Sequence, residues 1–420
     1  MDKKKLLQDA LNHKEGKVPL DIGSTSITGV HVSVIEKLRE YYGLEKRPVK
    51  LAEPLQMLGV VEEDLRQAMG IDVIGFGSPT TIFGYDDSAG KMREWKCPWG
   101  QTILVPEQIV TSADEIGNTY IYAEGDTNYS PAGKMPKVGT FFDVIIRGND
   151  YDEDDPHVED NFEEFKPITD RERAVIKQRA EEAKNSPYGV IAAFGGTGFG
   201  DAAYFPGGCL KNPKGLRDIA TWYAATVSDP EYIHKIFSYQ SEIAIENLKK
   251  IKEVVGDATQ AAVVCGTDFG TQKGPFCSNA TFRELYMPYY KKINTWIHDN
   301  TSWKTFKHCC GSCMPIIPDL IESGFDILNP IQWSANNMDR KELKEKFGKD
   351  LVFWGGGVNT QKTFPMGTPE EVRKEVLETL EIFAKDGGYV CNTIHNIVAY
   401  VPVENVVAFV NAVHEFNGDL

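Results

Sequence analysis

From residue 188 onward the chain alternates short, nearly continuous apolar runs with longer segments whose apolar residues recur every three or four positions. The runs fall at 189–194, 261–265, 306–310, 326–330, 351–354 and 389–395, and helical patterns fill most gaps, at 229–255, 279–300, 339–347 and 368–386. Continuous apolar runs suit strands buried on both faces, and their alternation with helices predicts a parallel sheet. The last helix opens Thr368-Pro-Glu-Glu371, a capping box with Pro at the first helical position. Two earlier runs, 18–22 and 71–76, read as strands of the same kind and bring the count to eight. The expected fold class is therefore α/β, a (β/α)8 TIM-type barrel, whose usual size of about 250 residues plus insertions fits this chain. A doubly wound open sheet is the rival architecture.

The alternation breaks between about 80 and 165. Residues 119–123 and 139–146 look like hairpin strands, and the acidic run 150–155 reads as a solvated loop, because like charges repel. We expect one barrel domain over 1–420, with an N-terminal extension and with 80–165 as a hairpin-rich, acidic insertion over the barrel mouth. An insertion of that length is a candidate lid or docking surface.

Reacting groups in β/α barrels sit where strands end, at the C-terminal face. The run 306–310 ends Phe306-Lys-His308-Cys-Cys310. Strand alternation turns His308 and Cys310 to one face and Cys309 to the other, placing an imidazole and a thiol where a borderline divalent metal would find two ligands. On the last run Cys391, Thr393 and His395 share a face by the same rule. Either Cys391 or His395 completes a three-ligand site, and His395 lies nearer the strand end. Catalytic zinc commonly keeps three protein ligands and one open position. Asp268, in the glycine-dense turn Gly266-Thr-Asp-Phe-Gly270, is a candidate acid or substrate partner. Asn329, Gln332, Trp354 and Asn396, also at strand ends, are candidate substrate contacts. Cys310-Gly-Ser-Cys313 has the redox C-x-x-C spacing, but no second C-x-x-C exists to complete a four-cysteine zinc site. The run 194–200 is glycine-rich without matching either phosphate-binding pattern.

Composition narrows the partners. A formal net charge of −16 with no basic stripe argues against nucleic acid. No apolar stretch approaches the roughly 20 residues needed to span a bilayer, and the N-terminal residues read as a polar amphipathic helix and not as a signal peptide. The eight cysteines show no disulfide framework, which favours reduced thiols and a cytoplasmic location.

One set of motifs goes further: Gly266-Thr-Asp-Phe-Gly-Thr-Gln-Lys-Gly-Pro275, Met287-Pro-Tyr-Tyr-Lys291, His308-Cys-Cys-Gly311, Ile317-Pro-Asp-Leu-Ile-Glu322, Ile327-Leu-Asn-Pro330, Trp354-Gly-Gly-Gly357 and Pro402-Val-Glu-Asn405. Over roughly its last 160 residues the chain resembles the uroporphyrinogen decarboxylase superfamily, including its corrinoid-linked methyltransferase branch. The resemblance implies a β/α barrel and, for the methyltransferase branch, one zinc ion held by a His-x-Cys pair and a distant Cys. His308 and Cys310 match the pair, while His395 stands where the distant Cys is expected. The arginine-rich motif that binds porphyrinogen carboxylates has no counterpart in 21–28, which disfavours a tetra-acidic substrate. The resemblance thus implies a zinc-dependent methyltransferase working with a corrinoid carried by a partner protein. Its small-molecule partner would be a methyl donor such as a methyl ether, or a thiol acceptor, and a homodimer is a candidate assembly. Two alternatives remain: a metal-free decarboxylase or lyase using Asp268 and His395 on a small carboxylic acid, and a non-catalytic subunit that docks a corrinoid protein.

Overall fold

The computed structural model describes residues 2–148, 151–152, 157–163, 165–196 and 198–420; most of the acidic run 150–155 lies outside them. Seven strands form one parallel sheet in chain order: Val73–Gly77, Gly189–Ala193, Ala261–Cys265, Lys304–His308, Ile327–Asn329, Val352–Trp354 and Tyr389–Val390. Segment 18–22 joins the two edges. Leu20 pairs in parallel with Cys391, and Asp72 N–H donates to Leu20 O on the other side (2.9 Å). The sheet curls into a (β/α)8 TIM-type barrel, as the eight apolar runs predict.

The barrel interior is built in layers. Val73, Ile191, Ala261, Phe306, Ile327, Val352, Trp354 and Val390 cluster inside it. From below, helix Lys3–Leu11 contributes Leu7, Ala10 and Leu11 to the same cluster. Gly189 makes room for this plug, since a Cβ there would stand 2.7 Å from Leu7. Every second residue of a strand faces inward. Above this apolar floor, Phe306 is therefore followed by His308 and Ile327 by Asn329, and polar side chains begin at the C-terminal end.

The outer helices follow the sequence closely. Pro230–Val255 is capped by Asp229, and Pro369–Phe383 carries the expected capping box of Thr368 and Glu371. The helix expected over 279–300 is instead divided: a wide π turn, Phe282–Tyr286, separates Asn279–Thr281 from Met287–Asn300. Pro288 has no N–H to give to the carbonyl four residues back, which opens the turn there. Among the described residues no helix is long and apolar enough to cross a membrane.

The non-barrel strands form two further sheets. One contains Val30–His31, Leu58–Gly59, Val49–Glu53, Thr102–Pro106 and Met92–Lys96; the other contains Asp143–Val144, Gly133–Met135, Thr119–Ile121 and Thr111–Ala113. The first sheet thus combines strands from before residue 80 with strands from after it. It is stitched to the loop after the last barrel strand by a Val30–Ile397 bridge and by Asn396 Nδ2, which donates to Gln56 Oε1 (3.0 Å).

Leu7 is fully buried in the barrel floor. Leu7→Ala should cost about 2–5 kcal/mol of stability, read as a lower denaturant midpoint at unchanged slope. A loss under about 0.5 kcal/mol, the scale of a surface substitution, would show that the helix does not plug the barrel.

Candidate functional site

Lys304–His308 ends with His308 facing into the barrel, in register with Asn329 on the neighbouring strand. His308 Nδ1 lies 2.7 Å from Asn329 Oδ1. The Asn329 amide is itself oriented, because its Nδ2 donates to Trp354 O (2.9 Å), a group that can only accept. Oδ1 must then accept from His308 Nδ1–H. This fixes the imidazole tautomer and leaves the Nε2 lone pair facing Cys310 Sγ at 3.4 Å.

Cys310 shares the mouth with His308, but not through strand alternation. The strand stops at His308, two residues earlier than expected, and Cys310 sits in the turn that follows. That turn is tied on three sides. Asp268 Oδ1 accepts Cys310 N–H (2.6 Å), Gln332 Oε1 accepts Gly311 N–H (2.7 Å), and Thr271 O accepts Ser312 N–H (2.7 Å). The loops pass so closely that a Cβ on Gly270 would stand 2.6 Å from Cys310 O, and one on Gly311 only 2.4 Å from Gly270. These glycines serve the contact between two loops.

The last strand is also shorter than expected, Tyr389–Val390, so His395 enters from a loop. Its ring centroid lies 6.3 Å from that of His308, nearly perpendicular. One ligand atom each from His308, Cys310 and His395 lies within 4.8 Å of the others. Cys391 is not in this group; its thiol receives the Tyr389 hydroxyl (3.7 Å) and lies 3.1 Å from where a Cβ on Gly357 would stand.

The surroundings prepare the three donors differently. Burial pushes both imidazoles down, His395 to about 4, with His308 beside it adding to the effect. Near neutrality both are uncharged, the form that binds a metal. Burial and then the Asp268 carboxyl push the Cys310 thiol well above its usual range, so it holds its proton. Two imidazoles and a thiol are the donor set of a borderline divalent cation such as zinc, and the oriented His308 supplies the outer support such ligands usually have.

The remaining expected residues are placed less openly. Asp268 has its side chain about two-fifths exposed, with Oδ1 3.9 Å from His308 Nε2. Asn329 is buried and bridges His308 to Trp354, while Gln332 is spent on Gly311. Trp354 lies in the barrel floor, its Nε1–H donating to Asp21 Oδ2 (2.9 Å). Asn396 gives its amide to Ser26 O and Gln56 and accepts Gly29 N–H. Trp354 and Asn396 offer a substrate no uncommitted polar atom, whereas Gln332 keeps its Nε2 without a partner among the described residues.

Two residues near the site escaped the sequence reading. Lys307, fully buried on the outward face of the strand, donates to Thr267 O and to His308 O (2.7 Å), locking together the turns that carry Asp268 and Cys310. Asp201 is buried beside the 266–268 turn, with burial raising its carboxyl to about 6. The only sequence signal for either was a charge closing or interrupting an apolar or glycine-rich run.

The family model for uroporphyrinogen decarboxylase (URO-D) matches residues 205–416, half of the chain. Similar curated proteins are uroporphyrinogen decarboxylases. That of Pseudoalteromonas translucida is 35% identical over 101 residues, 24% of this chain and 27% of the relative. That of Neisseria meningitidis serogroup C is 25% identical over 237 residues, 54% of this chain and 59% of the relative. The aligned part thus spans from about a quarter to three-fifths of these relatives' length. A solved structure, a methyltransferase from Methanosarcina mazei, superposes over 99% of both chains with a TM-score of 0.56 at 15% identity, a likeness of fold.

Because the imidazoles are already neutral and the thiol protonated, zinc uptake at pH 7 should release about one proton per ion, and affinity should rise with pH until the thiol ionises. Calorimetric titration in buffers of different ionisation enthalpy reads this directly. Uptake without proton release would show that Cys310 is not a ligand.

Proposed function

Since the chain belongs to the uroporphyrinogen decarboxylase family, we propose that it is the methyltransferase kind of member: a zinc-dependent enzyme that moves a methyl group between a small molecule and a corrinoid carried by a partner protein. The observation that carries this reading is the convergence of His308, Cys310 and His395 at the C-terminal mouth of a β/α barrel, where such folds do their chemistry. A family decarboxylase acting on a tetra-acidic porphyrinogen needs cationic partners, and 21–28 contains no arginine.

His308, Cys310 and His395 would hold the ion. Zinc bound there would supply Lewis acidity, polarising the oxygen of a methyl ether or favouring the thiolate of a thiol acceptor. Asn329 keeps His308 in the ligating tautomer, and Lys307 holds the turns of Asp268 and Cys310 at fixed separation. Asp268, whose side chain is partly exposed, would orient the substrate. Residues 1–420 act as one barrel domain, with the 80–165 segment shaping the mouth and meeting the partner.

A metal-free lyase is the second reading, favoured by the uroporphyrinogen decarboxylases among the curated relatives. Metal analysis separates the two. Purified protein should carry about one zinc per chain and lose it in His308→Ala and Cys310→Ala, while Asn329→Leu should weaken zinc binding by about 10- to 100-fold. A metal-free wild type that releases carbon dioxide from a carboxylic acid in the presence of chelator would overturn the methyltransferase reading.

A further inference from the structure

Asp201 closes the glycine-rich run 194–200 and is only 6% exposed. One carboxyl oxygen, Oδ1, accepts Ala203 N–H (2.9 Å). The other, Oδ2, accepts no hydrogen bond among the described residues and stands 2.8 Å from where a Cβ on Gly266 would be. Only a glycine at 266 lets this oxygen approach the turn that carries Asp268. Asp268 is held from the other side by Cys310 N–H.

The groups acting on Asp201 come from several elements. Burial raises its carboxyl to about 6 and the charge of Asp268 adds to the shift, while Ala203 N–H and the Lys307 ammonium oppose it. Two tyrosines, Tyr223 and the half-exposed Tyr204, lie near enough to feel these carboxyls. Burial pushes both phenols up, and the nearby charges of Asp201 and Glu53 for Tyr204, and of Asp268 and Asp201 for Tyr223, add to it. Tyr223 stacks on the half-exposed Phe276 (5.0 Å between centroids, 10° between planes). Neither phenol hydroxyl has a partner among the described residues. The result is one acidic oxygen without a partner among the described residues, beside the turn that carries a second carboxylate, and that carboxylate lies 3.9 Å from His308 Nε2. Carboxyl pairs in unequal surroundings divide the labour of proton donor and anion in this way.

Resting on the methyl-transfer reading above, we infer that Asp201 is the catalytic acid of the site, protonating the oxygen from which a methyl group leaves. The carbon–oxygen bond of a methyl ether breaks with both electrons staying on oxygen. The methyl passes to the nucleophilic acceptor, whose electron pair forms the new bond to carbon. The oxygen takes the Asp201 proton, which yields the free alcohol or phenol and the Asp201 carboxylate; solvent returns the proton before the next turnover.

The test uses zinc-loaded full-length protein, cob(I)alamin as methyl acceptor, and two aryl methyl ethers that differ in leaving group, anisole and 4-nitroanisole. Asp201→Asn keeps an oxygen for Ala203 N–H. It should slow methyl release from anisole by about 100-fold or more, the usual contribution of a general acid. The loss on 4-nitroanisole should be under ~10-fold, because 4-nitrophenolate leaves without needing a proton. The wild-type rate on anisole should fall as pH rises through about 6, and the variant should lose that limb. Infrared titration provides a readout independent of turnover: the wild-type minus Asp201→Asn difference spectrum, in which other raised carboxyls such as Asp21 and Glu53 cancel, should hold a carboxylic C=O band that disappears near the same pH. Equal losses on both ethers with an unchanged pH profile would assign Asp201 a structural role and overturn the inference. Titration in the ordinary carboxylate range near 4 would also overturn it, even in an active enzyme. A wild type inactive on both ethers despite the infrared band would overturn the methyl-transfer reading, and with it the place of Asp201 as donor to a leaving oxygen.

Discussion

The hydrogen bond from His308 Nδ1 to Asn329 Oδ1 is the contact on which the site depends. It joins two neighbouring strands at their last paired residues, and the Trp354 carbonyl on the third strand leaves the amide one way to point. The barrel thus determines the imidazole tautomer before any ligand arrives. An oriented Nε2 lone pair, a thiol 3.4 Å away and a second imidazole from the closing loop then follow from where three strands stop. Without that bond His308 could rotate, and the three donors would lose their common focus.

Around it the loops are fixed by backbone contacts rather than by bulk. Gly270 and Gly311 let two turns pass at a distance no side chain would allow, and Asp268, Gln332 and Thr271 hold the Cys310 turn through its N–H groups. Lys307 ties the same turns from behind, where burial would make a lone ammonium costly without its carbonyl partners. Gln332 and Lys307 act on the site only through a neighbour, whereas Asp268 both holds the Cys310 turn and keeps a partly exposed side chain 3.9 Å from His308.

The architecture was legible because strands buried on both faces leave continuous apolar runs, and all eight lie where those runs fall. Strand ends were less so. The apolar runs extend to Cys310 and His395, but the strands stop at His308 and Val390, since glycine turns and loop crossings leave no periodic signal. The donor residues stood out by chemistry, and the structure gathers three of them. Trp354, Asn396 and Gln332 stood out by position alone; the scaffold consumes the polar atoms of the first two but only the Oε1 of Gln332. Asp201 and Lys307 were invisible for the opposite reason: a charge in a glycine-rich or apolar run gains meaning only when the fold shows what it faces.

The proposed zinc site draws on two imidazoles and one thiolate at the barrel mouth. X-ray absorption at the zinc edge tests it most directly. Such a site gives one sulfur ligand at about 2.3 Å with the remainder nitrogen or oxygen, and loss of the sulfur contribution in Cys310→Ser. A spectrum with no sulfur, or one with two or more that survives Cys310→Ser, would contradict it.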